Sequence, residues 1–291
     1  MGRRLSMSTP TAARRFAVVG SPIAHSLSPV LHRAAYRGLG ARDVSYERFE
    51  VGAGQLGVFL REGPGRELQG MSVTMPGKPE AFALAAEADH VSARLGISNT
   101  LIRRADGRWR AENHDVHGIA ASLRDHGAHA PGTGAVLGSG ATALSAVAAL
   151  IDLGVSRIDL SARSPHKLAP LRELAAAADV RVQLVDWDSS WQLLSADAVV
   201  SAVAAEGAEH VAARWTDRSG LARPGVFLDV LYDPWPAPLA RVVTALGGEV
   251  ADGLEMLAHQ ADMQVRSMLG VGSAPVAQML AAARQALADR S

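Results

Sequence analysis

Beyond residue 115 the chain repeats one rhythm, a short apolar β-rich run followed by a turn and an Ala-rich stretch. Ala135–Leu137, Arg157–Ala162, Arg181–Val185, Ala198–Ala202 and Val226–Val230 read as strands, mostly with helical stretches between them. Short apolar strands that alternate with helices fit a parallel sheet covered on both faces. The fold class is therefore α/β. The first half keeps a looser version of the rhythm. Phe16–Gly20 reads as a buried strand and Pro29–Arg37 as a helix, with Ser28 placed to cap it and Gly38 just past its end. Val44–Val51 and Met71–Met75 are predicted strands; Gln55–Arg61, Pro79–Ala88 and His90–Leu95 are predicted helices. Ser98–Arg103 and Arg108–Glu112 flank Asp106-Gly107, a hairpin signal, and Leu254–Arg290 reads as two helices around Gly270–Ser273.

Length and charge narrow the partners. A chain of 291 residues has room for two domains or one large one. Its 29 Lys plus Arg balance 29 Asp plus Glu, so nothing pulls it toward a nucleic acid or an anionic membrane. Without cysteine it has no disulfide, no thiolate metal site and no Cys nucleophile. With only 4% aromatics, its core must be built from Ala, Val and Leu. Gly2 and Ser6 match a myristoylation pattern, which we read as chance or as an extension upstream of Met7. Residues 1–14 are basic and polar with no apolar stretch behind them, so we expect no signal peptide. Pro131–Ile151 is uncharged and long enough to span a bilayer, but its glycines and hydroxyls suit a strand, a turn and a buried helix better. We expect a cytoplasmic protein whose partner is a small-molecule substrate, without nucleic acid or membrane, and with a homodimer left open.

One of those turns suggests a cofactor. Gly138-Ser139-Gly140-Ala141-Thr142-Ala143 places Gly-x-Gly-x-x-Ala between a strand and a helix. Glycines there let the backbone approach a pyrophosphate at the helix N-terminus. Alone the motif is weak, and a tight turn without a ligand is the bland alternative. Asp159 stands near the distance at which an acidic residue would hold a ribose hydroxyl, but it lies in mid-strand. The strand runs out at Arg163 and Ser164, with Lys167 close behind, and these offer a fork, a hydroxyl and a second cation to a 2′-phosphate. The expected cofactor is NADP (NADPH).

Four polar clusters in the first half each adjoin a strand end: Ser26-Leu27-Ser28, Thr74 with Lys78, Ser98-Asn99-Thr100, and Asn113-His114-Asp115. Strand ends on one edge of a parallel sheet face a common crevice, where these groups would suit a small polyhydroxylated acid. Reduction of a carbonyl builds negative charge on its oxygen. A Lys can stabilise that charge or supply the proton, and an Asp can orient the Lys. Taken singly, Ser28 could be only a cap, and Lys78 and Asp115 only surface charges.

These residues resemble the shikimate dehydrogenase family, whose members reduce 3-dehydroshikimate with NADPH. Gly20-Ser21-Pro22-Ile23-Ala24-His25-Ser26-Leu27-Ser28-Pro29 is similar to the family's opening signature, and Val73-Thr74-Met75-Pro76-Gly77-Lys78 to its lysine segment. Ser98-Asn99-Thr100 and Asn113-His114-Asp115 are similar to two further elements. Tyr232-Asp233-Pro234-Trp235-Pro236 and Gly253 to Gln260 match late motifs, the first in a form associated with actinobacterial members. The resemblance spans Phe16 to Gln278. It implies that Ser26 and Ser28 bind a carboxylate, that Thr74, Asn99, Asp115 and Gln260 bind ring hydroxyls, and that Lys78 and Asp115 are the catalytic pair. Tyr232 joins the substrate residues. Gly138, Ser139, Gly140, Ala141, Arg163, Ser164, Lys167 and Gly253 make up the cofactor set.

The resemblance also implies a discontinuous substrate domain, residues 15–114 plus 252–291, behind a flexible 1–14. A Rossmann-like NADP domain would occupy residues 115–251, with the active site between the two. The chain departs from the family pattern at His114, Ala141, Leu144, Ala162, Ser201–Ala205 and Ala237, nearly all in or beside the cofactor half. His114 and His117 flank Asp115 as a conceivable metal cluster, but the reaction needs no metal and none is expected. Two alternatives stand beside the main reading: a quinate/shikimate dehydrogenase using NAD(P), and a non-catalytic sensor of such acids.

Overall fold

The structure, a computed structural model, describes residues 13–290. The Gly2 and Ser6 pattern lies outside them. Residues 1–14 were expected to be a flexible N-terminus; Arg14 instead already belongs to the first strand, pairing with Val44.

The first half builds β1 (Arg14–Gly20), α1 (Ser28–Gly38), β2 (Val44–Glu50), α2 (Leu56–Glu62), β3 (Gly70–Val73) and α3 (Lys78–Leu84). It continues through β4 (Glu87–Ala88), α4 (His90–Leu95), β5 (Thr100–Arg103), β6 (Trp109–Glu112) and α5 (Asp115–Asp125). Its sheet has the order β2-β1-β3-β5-β6-β4. β1 is parallel to β2 and β3, whereas β5 is antiparallel to both β3 and β6. The expected hairpin turns the chain between β5 and β6, and Gly107 takes φ +82° in it. Being antiparallel, β5 has its start at the same sheet edge as the ends of β1, β3 and β6. All four polar clusters therefore share one edge, although the sheet is mixed rather than parallel.

The second half adds β7 (Thr133–Leu137), α6 (Ala141–Asp152), β8 (Arg157–Ser161), α7 (Ala169–Ala176), β9 (Arg181–Leu184) and β10 (Ala198–Ser201). Then come α8 (Ala205–Thr216), β11 (Val226–Asp229), α9 (Pro238–Ala245) and β12 (Glu249–Ala251). All six strands are parallel in the order β12-β11-β10-β7-β8-β9. The order reverses at β7, which places a crevice at the carboxyl end of that strand. Pro131–Ile151 forms β7, a glycine turn and buried α6; among the described residues no helix is long and apolar enough to cross a membrane.

The chain closes with α10 (Gly253–Leu269) and α11 (Val276–Ala288). Their Leu254, Ala258, Val265, Met279 and Ala283 pack into one core with Phe16, Val18, Leu27 and Leu31, so the last helices cover the first sheet. Between the lobes runs α5. Its Ile119 and Leu123 pack with Val147 and Leu150 of α6, and a Cβ on Gly118 would lie 2.7 Å from the Met256 carbonyl.

Three expectations need correction. The predicted helix 79–88 stops at Leu84, because the Ala86 and Asp89 amides donate to the Trp109 and Ala111 carbonyls and draw Glu87–Ala88 into the sheet. Strand β12 was not foreseen; it is a three-residue edge pairing to β11. Ser28 is not the cap of α1. It is the first helical residue, Leu27 is the cap position, and no side chain caps that end.

Candidate active site

Lys78 opens α3 and Asp115 opens α5, each directly after a strand of the first sheet or its turn. Nζ of Lys78 lies 2.5 Å from Oδ2 of Asp115. The two residues are only 7% and 1% exposed, so a charged pair is held out of bulk water. The first turn of α5 favours a negative charge at this position. Asn99 completes the group, donating from Nδ2 to Asp115 Oδ1 at 2.8 Å. The Asp115 backbone amide donates to Asn113 Oδ1, and that of His114 to Asn99 Oδ1, both at 3.0 Å.

The pair faces a cleft of about 260 Å³. Ser26, Ser28, Thr74, Asn99, Tyr232 and Gln260 all line it. The Ser28 amide donates to Ser26 Oγ at 3.3 Å, which folds the two hydroxyl-bearing residues onto one another. Burial raises the Tyr232 phenol above its ordinary range. Oε1 of Gln260 is buried without a hydrogen-bond partner. An orphaned buried acceptor is costly, so a ligand hydroxyl would be favoured there. Gly253, expected in the cofactor set, lines this same cleft, pressed so close to Val230 that a Cβ would fall 2.2 Å from its carbonyl oxygen.

A second cavity of about 240 Å³ lies at the carboxyl edge of the parallel sheet. Gly138, Ser139 and Gly140 form its floor, and Arg163, Ser164 and Lys167 its basic wall. Gly138 has φ +126°, and a Cβ there would sit 2.6 Å from the Ala202 carbonyl; Gly140 faces open space. Ala141 begins α6, whose N-terminus has no side-chain cap, and Thr142 reaches into the first cleft. Open space over a glycine turn, an uncapped helix start and a basic wall fit a dinucleotide with an extra phosphate. Asp159 does not line this cavity. It is buried in mid-strand against Arg157, Nε to Oδ1 at 3.0 Å. Beside the cavity, Asp229 ends β11 paired in register with Ser201 and fully buried. Burial pushes its carboxyl up to about 7 against the opposing effect of the Leu231 amide, which donates to Oδ1 at 3.1 Å.

His114 lies 3.0 Å from Glu112, and burial lowers His117. Among the described residues no group of three His, Asp or Glu is arranged to hold a metal ion.

Sequence reasoning missed Gln264, Thr142, Trp187 and Glu206. The first two line the substrate cleft and the last two the nucleotide cavity. For Gln264 a signal existed, because it stands four residues after Gln260 on the same helical face.

The chain is similar to known proteins along nearly its whole length. Residues 18–101 match the family model for the shikimate dehydrogenase substrate binding domain. A shikimate dehydrogenase (NADP(+)) of Synechococcus sp. (strain JA-3-3Ab) is 31% identical over 99% of this chain and 98% of its own length. The crystal structure of Mycobacterium tuberculosis shikimate dehydrogenase superposes with a TM-score of 0.83 at 42% identity, covering 94% of this chain and 99% of that one. The Thermus thermophilus enzyme, solved with NADP(H) and shikimate, gives 0.78 at 28% identity over 94% of this chain and 100% of that one. With a likeness that runs through both lobes and nearly the whole length, the chain belongs to the shikimate dehydrogenase family.

Proposed function

We propose that the chain catalyses the reversible NADPH-dependent reduction of 3-dehydroshikimate to shikimate, with Lys78 and Asp115 as its catalytic pair. The observation that carries this reading is the buried 2.5 Å contact between them, opening into a cleft of hydroxyl and amide groups. When bound, NADPH supplies the hydride that reduces the carbonyl carbon. The chain's own groups handle the proton and the charge. The Lys78 ammonium stands where negative charge develops on the oxygen, and Asp115 keeps it aimed there. Ser26, Ser28 and Tyr232 hold the carboxylate end; Thr74, Asn99 and Gln260 hold ring hydroxyls. Gly138 to Ala141 receive the pyrophosphate, while Arg163, Ser164 and Lys167 select the 2′-phosphate. Gly253 shapes the wall at which the cofactor and substrate sites meet.

The proposed division is a substrate lobe of residues 15–114 plus 252–291, now with Arg14 added, and a dinucleotide lobe of residues 115–251. A cytoplasmic location goes with the reading because the reaction draws on the NADPH pool. The homodimer is left to a sedimentation measurement.

An assay of NADP(H) absorbance at 340 nm tests the activity, with shikimate and quinate each offered NADP and NAD. Rapid reduction of NADP by shikimate alone is expected. Turnover of quinate with NAD would move the chain to the quinate alternative, and silence in all four with shikimate still bound would make it a sensor.

A further inference from the structure

From Asn99 a line of buried polar groups, of which Gln264 and Ser72 also touch the wall of the cleft, leads to an aromatic cluster. Thr100 Oγ1 donates to Asn99 Oδ1 at 2.8 Å. Gln264 Nε2 donates to Thr100 Oγ1 at 2.9 Å and to the Asn99 carbonyl at 3.3 Å. Ser72 Oγ donates to Gln264 Oε1 at 2.9 Å, and the Tyr46 hydroxyl lies 2.6 Å from Ser72 Oγ. His32 Nε2 reaches the same Gln264 oxygen at 3.3 Å, and its ring stacks on Tyr46 with centroids 4.0 Å apart.

The chemistry of these groups fixes the direction of every bond. The Asn99 backbone carbonyl only accepts, so Gln264 must point Nε2 at it and at Thr100, and the Thr100 hydroxyl, taking that N–H on a lone pair, is left to donate to the Asn99 side chain. Gln264 must then turn its oxygen toward Ser72 and His32. Ser72, having donated, accepts from Tyr46. Burial keeps the His32 ring neutral, its pKa lowered to about 3, so with its proton on Nε2 toward Gln264 its Nδ1 is left to accept from the Tyr36 hydroxyl 3.4 Å away. The consequence falls on Asn99. Its oxygen is held by Thr100 and the His114 amide, so its NH2 group is forced toward Asp115. A flipped amide would oppose carbonyl to carboxylate and amide to hydroxyl donor.

We infer that Gln264 is a positioning residue for the reaction, fixing through Thr100 which way the Asn99 amide faces and so where the Asp115 carboxylate is held against Lys78. The inference rests on the reading above and deepens it. Gln264 is 2% exposed, and both its donors and its oxygen are taken up by Thr100, the Asn99 backbone carbonyl, Ser72 and His32, so it acts through other side chains.

The test uses Gln264→Leu, Thr100→Val and Thr100→Ser in the full chain. Gln264→Leu and Thr100→Val are expected each to lower kcat about tenfold, about 1.4 kcal/mol of barrier, with KM for shikimate changed less than about threefold. Thr100→Ser keeps the hydroxyl and should recover kcat to within about threefold of wild type. The double change Gln264→Leu/Thr100→Val should be little worse than either alone, because the two act in series. Multiplying losses, or folded single variants with wild-type kcat, would overturn the inference. So would a Thr100→Ser protein as impaired as Thr100→Val. A ligand-free measurement separates this failure from that of the activity itself. In a ¹⁵N spectrum the Asn99 side-chain amide should shift in Gln264→Leu and Thr100→Val and keep its position in Thr100→Ser. If the wild type turns over none of the four substrate pairs, the activity has failed and the amide resonance alone judges the relay; unmoved in all three variants, it rejects it.

Discussion

Lys78 and Asp115 lie 37 residues apart in sequence and 2.5 Å apart in space, each at the first residue of its helix. Removing either leaves the other charge buried. Lys78→Ala is expected to lower kcat by a factor of about 10²–10⁴, the usual share of a positioned acid or base. Shikimate affinity, measured by calorimetry, should change less than about tenfold, since the hydroxyls and amides that line the cleft remain. A kcat within about threefold of wild type would remove Lys78 from the chemistry.

The role proposed for Arg163 is cofactor choice alone. Arg163→Ala should raise KM for NADP by about tenfold or more, the worth of a charge-assisted hydrogen bond to phosphate, while leaving KM for NAD nearly unchanged. Equal weakening of both cofactors would mean that Arg163 does not meet the 2′-phosphate.

Gly138 has no room for a methyl group. With φ +126° and the Ala202 carbonyl 2.6 Å from a Cβ, Gly138→Ala should cost about 1–3 kcal/mol of stability and weaken NADP binding together. Gly140→Ala, facing open space, is the control, and thermal unfolding with and without NADP reads both. A Gly138→Ala protein that unfolds and binds as wild type would contradict the close approach.

Asp229 makes stability depend on pH with a sign opposite to that of most carboxylates. Its folded carboxyl titrates at about 7, above the roughly 3.9 of an unfolded Asp, so the folded state holds its proton more tightly. Its contribution is full below about pH 4 and is lost as pH rises toward 7. The melting temperature of Asp229→Asn minus that of wild type should therefore grow more positive between pH 4 and 7 and level off above. A difference that does not vary with pH would show that the carboxyl is not raised.

What could be read from the sequence was whatever a residue type dictates locally. Ala135–Leu137 followed by Gly138-Ser139-Gly140 reads as a strand and turn because a doubly covered strand must be apolar and the turn must lack side chains. The lysine, amide and carboxylate clusters were legible because polar groups crowd the ends of apolar strands. What escaped was set by distant partners. Glu87–Ala88 looks helical, and only the neighbouring Trp109 and Ala111 carbonyls make it a strand. Gln264 shares a helical face with Gln260, but that spacing does not say what it binds. Its place is decided by Ser72 and Thr100, 192 and 164 residues earlier in the chain. The mixed direction of the first sheet was hidden too, since a hairpin signal does not say which strands will flank it.

The return of α10 and α11 to the first sheet has a consequence for the order in which the protein is made. Phe16, Val18 and Leu31 leave the ribosome long before Leu254, Val265 and Met279, which cover them. At typical rates of about 5–20 residues per second, the nascent first sheet waits roughly ten seconds or more with that apolar face uncovered. The parallel sheet between them is contiguous and completes itself during that interval. Chaperone demand should therefore fall on the first sheet, and ease only when α11 emerges.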